Sequence, residues 1–259
     1  MEQGDPIMVI LEAHRLAQSY GGLQVLTEIS FRLMTGEKVA LIGPNGAGKT
    51  TLFNVLSGFV PLNGGKIHFL GQEITHLQPE ARTALGLARS FQISTLFPSL
   101  NVLTNVLLAI QGIQTTRYQM FRPITAYRDN LAKARELLEL VGLWEKRNSL
   151  ISNLGHGEQR QMEIILSLAS KPKLLLLDEP SAGLTAGESD KLIDMIHGLV
   201  ADTTVLLTAH DMDLVFELAE RVMVLYYGKI IAQGTPEEIQ NNPEVREIYL
   251  GSEEKTQYA

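Results

Sequence analysis

The sequence predicts an α/β fold in which a mixed sheet carries an antiparallel β subdomain and a helical subdomain. Short apolar runs at Lys38–Ile42, Lys173–Asp178 and Thr204–Thr208 are typical of strands buried on both faces of a sheet. The first run leads through a glycine-rich loop into a helical stretch. Strand-like stretches before that loop, and a helical pattern between the first two runs, predict the subdomains.

Composition sets the outer limits of the prediction. A chain of 259 residues that is 45% hydrophobic is long enough for one large domain, or for a core with a subdomain. The formal net charge of −7 provides no basic field for nucleic acid, and the absence of cysteine excludes disulfides and thiolate metal sites. Met1–Pro6 is polar and acidic, unlike a signal peptide. The longest apolar run, Val222–Tyr227, is far shorter than the roughly 18–20 residues of a membrane span, so we expect a soluble chain.

The chain begins with two stretches that predict antiparallel strands. The first runs from Met8–Leu11 to Leu16–Tyr20 and ends at Gly21 and Gly22, and the second covers Val25–Leu33. Tyr20 ends the first strand, where its ring can stack on a base or pack against the protein. Position alone favours packing.

The stretch Gly43–Thr50 fits the phosphate-binding loop pattern, in which each residue type has a physical role. The glycines let backbone N–H groups converge on an anion, and Lys49 brings a positive charge to the β- and γ-phosphates. The Thr50 hydroxyl can ligate Mg²⁺, and the helix predicted from Thr50 to Ser57 directs its N-terminus towards the phosphates. The alternative is a glycine-rich turn that fits the pattern by chance and binds no phosphate. The setting between strand and helix favours a P-loop NTPase core that binds a nucleoside triphosphate.

After this helix, Lys66–Phe69 predicts a short strand, and Arg89–Gln92 predicts the end of another that carries a polar glutamine. Helical spacing then extends to Ile110 and resumes from Leu131, so residues 93–160 predict a mostly helical insert. The less regular stretch between these helices contains Arg117, Arg122 and Arg128. These arginines form either a solvated face or a docking surface.

The second strong motif is the buried strand that ends at Asp178 and Glu179. Ligands of α/β folds bind at the carboxyl ends of strands, so both acids should face the phosphate loop. Asp178 suits a Mg²⁺ shell, directly or through water, and Glu179 is placed to polarise an attacking water. The alternative is that an acidic turn follows this strand by chance and has no part in catalysis. The strand Thr204–Thr208 delivers His210, which is either structural or a sensor of the γ-phosphate.

The remaining chain predicts an amphipathic helix between these two strands, followed by a strand, a turn and a second strand. The helix carries Leu192, Ile193, Ile196, Leu199 and Val200, and the strands cover Arg221–Tyr226 and Ile230–Gln233. Two short helical pieces end near Leu250.

Over about residues 8–250, these motifs resemble the ABC-type ATPase subunits of membrane transporters. Gly43–Thr50 matches Walker A and Leu174–Asp178 matches Walker B. Glu179 matches the catalytic glutamate, Gln92 the Q-loop glutamine and His210 the switch histidine. Tyr20 matches the aromatic residue that stacks on adenine, which overrides the packing preference above.

The resemblance implies a complete set of site residues. Catalysis would depend on Glu179, His210 and Gln92, and Mg²⁺ would be held by Thr50, Gln92 and Asp178. ATP would contact Tyr20, Gly43, Asn45, Gly46, Gly48, Lys49, Thr50 and Thr51, with Gly155, His156, Gly157 and Glu158 contributed as the signature motif. The chain would divide into core residues 1–92, a helical subdomain 93–160 and core residues 161–259.

Two departures from the family pattern concern contacts with a paired ATPase, one to its nucleotide and one a bond across the interface. The family signature reads Leu-Ser-Gly-Gly-Gln, whereas this chain has Leu154-Gly155-His156-Gly157-Glu158. The serine that reaches the γ-phosphate is therefore missing, and Thr185 replaces the D-loop aspartate. Because two such ATPases pair head to tail, the altered signature affects the partner's ATP. This favours a heterodimer, although a homodimer stays open.

Within the family the chain looks most like the ATPases of branched-chain amino acid importers. The helical insert, the Ala182-Gly183-Leu184 segment and the ending Asn242–Gly251 carry that similarity, which urea importers share in part. The resemblance implies a peripheral subunit on the cytoplasmic face of the inner membrane. Its partners would be transmembrane permeases, a second ATPase and, indirectly, a substrate-binding protein, with no nucleic acid.

Three other functions share the same motifs. They are a soluble ATPase for iron–sulfur cluster assembly, a DNA-repair or chromosome protein, and an ATPase that extracts lipopolysaccharide from a membrane. The acidic charge and the lack of long coiled-coil heptads disfavour the DNA function.

Overall fold

The computed structural model describes residues 8–90, 96–112, 128–199, 203–209 and 212–248. The strands within these ranges are β1 (Val9–Tyr20), β2 (Leu23–Met34), β3 (Lys38–Ile42), β4 (Gly64–Phe69), β5 (Gln72–Glu73), β6 (Leu87–Ser90), β7 (Leu174–Asp178), β8 (Thr204–Thr208), β9 (Arg221–Tyr226) and β10 (Lys229–Gly234). The α-helices are α1 (Lys49–Ser57), α2 (Pro79–Leu85), α3 (Val102–Gly112), α4 (Arg128–Leu140), α5 (His156–Leu168), α6 (Ala186–Leu199), α7 (Met212–Leu218) and α8 (Pro236–Gln240).

The larger sheet has the strand order β10-β9-β3-β8-β7-β6. Strands β9, β3, β8, β7 and β6 run parallel to their neighbours, and β10 pairs with β9 antiparallel, so the predicted mixed sheet is confirmed. Strands β7 and β8 are buried along their whole length. Leu174 and Leu176 pack into one hydrophobic cluster, while Leu175 and Leu177 pack into another on the opposite face. Burial on both faces, predicted from the four leucines, is confirmed.

The predicted antiparallel subdomain is a second sheet with the order β2-β1-β4-β5. The sequence predicted one strand that opens at Met8–Leu11 and ends with Leu16–Tyr20, and β1 covers Val9–Tyr20 with a register shift between Ala13 and Leu16. Within that irregularity Arg15 has a φ of 48°, and its N–H donates to the Ser30 hydroxyl at 2.8 Å. The bulge interrupts the alternation of buried and exposed residues along β1.

The helical insert has a hydrophobic cluster of its own, to which α3, α4 and α5 contribute. Helix α5 also joins the insert to the large sheet. Its Met162 and Ile165 belong to the helical cluster, whereas Ile164 and Leu168 pack against the sheet. The helix therefore continues through residue 160, where the sequence placed a domain boundary, and the division into three segments stays a prediction.

The last part of the chain follows the expected pattern. Strands β9 and β10 pair antiparallel, α8 follows, and residues 243–248 are helical. Arg128 opens α4, whereas Arg117 and Arg122 lie outside the described residues. Within the described ranges, no helix is both long enough and apolar enough to cross a membrane.

Candidate active site

The loop between β3 and α1 folds tightly because of its glycines. Gly43, Gly46 and Gly48 have φ values of 153°, 81° and 110°, a backbone region that residues with a Cβ rarely adopt. A Cβ at Gly43 would lie 2.1 Å from the carbonyl oxygen of Leu225. The backbone of β9 thus lies so close to the loop that only glycine fits at this position.

Lys49 begins α1 and turns its side chain into the loop. Its Nζ donates to the carbonyl oxygens of Gly43 at 2.5 Å and Pro44 at 3.2 Å, and the residue is 6% exposed. Burial lowers the pKa of the Lys49 ammonium, whereas the negative charges of Glu179 and Asp178 oppose that effect. The fold brings the two motifs together, since Arg89 bonds both to Asn54 and Ser57 on α1 and to Asp178.

The first turn of α1 presents backbone donors beside this lysine. The first hydrogen bond of α1 runs from the Leu52 N–H to the Gly48 carbonyl at 2.9 Å. The N–H groups of Lys49, Thr50 and Thr51 precede it, at the end of the helix that carries partial positive charge. Such a helix start, together with the Lys49 ammonium, can bind phosphate groups.

Asp178 lies at the carboxyl end of β7, with 1% of its surface exposed. Its Oδ1 accepts a hydrogen bond from the Thr208 hydroxyl at 2.8 Å, and its Oδ2 accepts one from Arg89 at 2.8 Å. A carboxylate has about four lone-pair sites, so these two bonds leave capacity for a water or a cation. The carboxylate of Asp178 and the exposed hydroxyl of Thr50 are oxygen donors, which suit Mg²⁺.

Glu179 follows in a constrained turn. Its φ is 46°, and its N–H donates to the Thr208 carbonyl at 3.1 Å and to the Thr208 hydroxyl at 2.9 Å. A positive φ is uncommon for glutamate and is held here by contacts from the neighbouring strand. Thr208 therefore orients both acids of the motif.

Arg160, on α5, fixes the same turn from the other side. Its guanidinium donates to the carbonyl oxygens of Asp178 at 2.7 Å, Glu179 at 3.0 Å and Pro180 at 2.9 Å. It also pairs with Glu163 at 2.7 Å. The helix that begins within the Leu154–Glu158 segment is thus bonded directly to the backbone of the Asp178–Pro180 turn.

Sequence reasoning missed Arg160, Arg89 and Thr208 as parts of this site. A signal existed for Arg89 and Thr208, because each is a polar residue within or at the end of a buried strand. The sequence contains no such signal for Arg160, because its contacts depend on how α5 packs against the sheet.

The signature residues lie at the start of α5. Gly155 is the N-cap, and its N–H donates to Glu158 Oε2 at 3.2 Å. A carboxylate from α6 lies against the same end, since Glu188 Oε1 is 2.7 Å from where a Cβ on Gly157 would be. Hydrogen bonds from the Thr185 N–H and hydroxyl, and a weaker contribution from the Gly157 N–H, lower the pKa of Glu188.

The remaining predicted residues are Tyr20, two residues of the loop itself, and two residues outside the described ranges. Tyr20 is 47% exposed at the end of β1, opposite Leu23, so it does not pack into the core. Asn45 and Gly46 are exposed in the loop. Gln92 and His210 lie outside the described residues, and their roles stay predictions.

Known proteins are similar to this chain in sequence and in fold. The sequence profile of the family described as "ABC transporter" matches residues 26–182, and that of the "Branched-chain amino acid ATP-binding cassette transporter" matches residues 229–255. The chain is 39% identical over 249 residues to the high-affinity branched-chain amino acid transport ATP-binding protein LivG of Salmonella typhimurium, covering 93% of this chain and 98% of that protein.

More distant matches extend the comparison. The lipopolysaccharide export system ATP-binding protein LptB of Haemophilus influenzae is 35% identical over 251 residues, covering 96% of this chain and all (100%) of that protein. A crystal structure of the ADP conformation of an ATP-binding cassette from an ABC transporter superposes with a TM-score of 0.84 at 29% identity. That superposition covers 94% of this chain and 99% of the other.

Proposed function

This chain belongs to the ABC transporter family and is an ATP hydrolase, and from that membership we propose that it energises the import of branched-chain amino acids. The observation that carries the proposal is the match of residues 229–255 to the branched-chain amino acid cassette, together with 39% identity to LivG. Gly228, the residue just before that matched segment, donates its N–H to the carbonyl oxygen of Ala47 in the loop at 2.9 Å, so the segment begins beside the loop.

In the proposed reaction, Lys49 and the first amides of α1 bind the phosphates of ATP. Glu179 accepts a hydrogen bond from water and polarises it for attack on the γ-phosphorus. Thr50 and Asp178 would hold Mg²⁺, with Gln92 as a further ligand. That ion neutralises charge on the phosphate oxygens when it is bound. His210 would contact the γ-phosphate, and Tyr20 would stack on adenine.

Two ATPase subunits would pair so that each ATP lies between the Walker A loop of one chain and the signature of the other. The missing hydroxyl at Gly155 supports a heterodimer, in which a second ATPase supplies a fuller signature to the site containing Lys49. ATP would close the pair, and hydrolysis would reopen it.

A groove between the core and the helical insert supports docking of a permease subunit. It has a volume of about 460 Å³ and is lined by Phe59 and Thr83 on the core side and by Phe97, Leu108 and Ala109 on the insert. Phe59 and Phe97 are 50% and 55% exposed, respectively. Exposed aromatic rings on two sides of one groove suit an apolar segment of a partner protein. The permease would place this subunit on the cytoplasmic face of the membrane, with the binding protein in contact only with the permease.

The test is reconstitution of the chain in liposomes with the permeases and binding protein from neighbouring genes. We expect ATP-dependent uptake of labelled leucine, isoleucine and valine, and loss of that uptake in a complex carrying Glu179→Gln. ATP-dependent uptake of urea, with no uptake of branched-chain amino acids, would contradict the proposed solute.

The similarity to LptB favours lipopolysaccharide extraction as a second candidate. Copurification with lipopolysaccharide-binding subunits, and ATP-dependent release of lipopolysaccharide from vesicles, would support that candidate. It would count against the importer.

A further inference from the structure

One face of the antiparallel sheet carries two histidines and a carboxylate far along the chain from the catalytic motifs. Glu12 and His14 are two residues apart on β1, and β4 places His68 directly opposite Glu12. Side chains at alternate positions of a strand, and those of directly paired residues, share a face of the sheet. Leu11 and Ala13 are buried on the other face. Three groups that can bind metals therefore meet on one side of the sheet.

The distances within this cluster suit a single metal ion. One ligand atom from each residue lies within 4.8 Å of the other two. Around a tetrahedral Zn²⁺ ion with bonds of about 2.0–2.2 Å, ligand atoms are separated by roughly 3.3–3.6 Å. His14 Nε2 is already 3.4 Å from Glu12 Oε2. The His68 ligand atom lies within 4.8 Å of the other two, so the adjustment that it needs to reach tetrahedral spacing is at most about 1.5 Å.

A neighbouring arginine prepares the carboxylate for this role. Arg32 Nε forms an ion pair with Glu12 Oε1 at 2.8 Å, while Glu12 Oε2 faces His14. One oxygen is thus held by a cation and the other is directed at the imidazole. Such an outer partner fixes the orientation of a metal-ligating carboxylate.

The ordinary interpretation of the cluster is a surface ion pair between Glu12 and His14. It does not account for His68, whose Nδ1 is buried and has no hydrogen-bond partner in the described part of the chain. A buried polar nitrogen that has lost water without gaining another partner is unfavourable. Nδ1 is therefore the candidate ligand atom of His68, because a metal ion bound there would supply the missing partner.

We infer that Glu12, His14 and His68 bind a divalent transition-metal ion of the Zn²⁺ class, with water in the fourth position. Imidazole nitrogens favour Zn²⁺ over Mg²⁺, which prefers oxygen ligands, so this site is chemically distinct from a nucleotide-linked Mg²⁺ site. Solvent reaches the cluster through His14, whose side chain is 46% exposed. The bound ion would connect β1 to β4 and stabilise the antiparallel sheet.

The experiment uses the full chain without an affinity tag, stripped of metals and kept free of nucleotide. Isothermal titration with Zn²⁺ alone should show one saturable site per chain, and the melting temperature should rise with the Zn²⁺ concentration. Glu12→Gln and His68→Asn should each weaken that binding by more than about tenfold. His197→Asn removes an exposed histidine on α6 and should leave binding unchanged.

Because Glu12 is only part-buried, Glu12→Gln tests the site even where His68→Asn disturbs folding. The metal-free melting temperatures of both variants establish whether they fold. The inference is overturned if the wild-type chain shows no saturable Zn²⁺ binding. It is equally overturned if Glu12→Gln and His68→Asn bind Zn²⁺ as tightly as His197→Asn does.

Discussion

The guanidinium of Arg89 donates to the carboxylate of Asp178 at 2.8 Å, and the two side chains are only 7% and 1% exposed, respectively. Arg89 also donates to Asn54 Oδ1 at 2.6 Å and to the Ser57 hydroxyl at 3.2 Å, and its charge lies 5.8 Å from the centre of the Phe53 ring. It therefore links strand β6 to both nucleotide motifs, through α1 on one side and β7 on the other.

Removing this arginine should destabilise the fold. Arg89→Met leaves the Asp178 carboxylate buried without its cation, and breaking a buried pair in this way costs about 3–5 kcal/mol. The measurement is the free energy of unfolding from a urea titration. Lys66→Met, which breaks the exposed 2.9 Å pair with Glu73, is the control and should change little. Equal unfolding midpoints for Arg89→Met and wild type would show that the buried pair contributes nothing to stability.

Replacing Glu179 with Gln should separate ATP binding from hydrolysis. The amide cannot polarise water as the carboxylate does, so we expect turnover to fall by at least about 10²-fold while ATP affinity is kept. Steady-state phosphate release and equilibrium ATP titration measure the two quantities. Glu145→Gln, at a side chain that is 89% exposed, serves as the control. Wild-type turnover in the purified complex would refute the assignment of Glu179.

Replacing Lys49 with Ala should weaken nucleotide binding itself. The ammonium lies within the loop at 2.5 Å from the Gly43 carbonyl, and its charge is the partner of the phosphates. Equilibrium titration with labelled ATP provides the measurement, with Lys191→Ala on the exposed side of α6 as the control. If the Lys49→Ala chain binds ATP with unchanged affinity, the phosphate-loop interpretation is wrong.

Replacing Phe97 with Ala should uncouple ATP hydrolysis from transport. The ring is 55% exposed and lines the groove beside α3, where we place the permease. We expect solute-stimulated ATPase activity of the reconstituted complex to fall more than basal activity. A similar but smaller effect is expected for Leu100→Ala, and Leu140→Ala, an exposed leucine on α4, is the control. Equal loss of basal and stimulated activity would indicate a folding defect instead.

The parts of the fold that were predictable from the sequence are those with local signals. Strand β3 has the predicted bounds Lys38–Ile42, and β8 has the predicted bounds Thr204–Thr208, because turn-forming residues or polar residues frame each apolar run. The loop before α1 was predictable because its glycines serve positions with positive φ.

What the sequence could not predict depends on pairing between distant segments. The pairing of β7 with β8 places Asp178 directly opposite Thr208, and the pairing of β3 with β8 places Lys38 opposite Val205. The contacts of Arg89 and Arg160 follow from the same strand order and from the packing of α5. No local pattern encodes that order, so the partners of both arginines could not be predicted, although the polar side chain of Arg89 in a buried strand indicated that it has one.

The signature motif leads to the final prediction, which concerns the nucleotide of the paired ATPase. Gly155 has no side chain, so a phosphate contact here must come from the amides at the start of α5. A hydrogen bond to a charged group contributes about 1.5–3 kcal/mol, and the missing hydroxyl should weaken the partner's site accordingly. A side chain fits at this position, since the nearest atom to a Cβ on Gly155 is Glu158 Oε2 at 3.9 Å.

Gly155→Ser should therefore strengthen ATP-driven closure at the partner's site and barely alter the site that contains Lys49. Site-resolved nucleotide occupancy in the assembled complex tests this, and Gly198→Ser, at a glycine with open space around it, is the control. In a homodimer both sites would strengthen equally, which would remove the asymmetry. If Gly155→Ser changes neither occupancy nor closure, the prediction is wrong. Either water or backbone already makes the phosphate contact of the missing hydroxyl, or the introduced hydroxyl caps α5, a role in which serine is favoured.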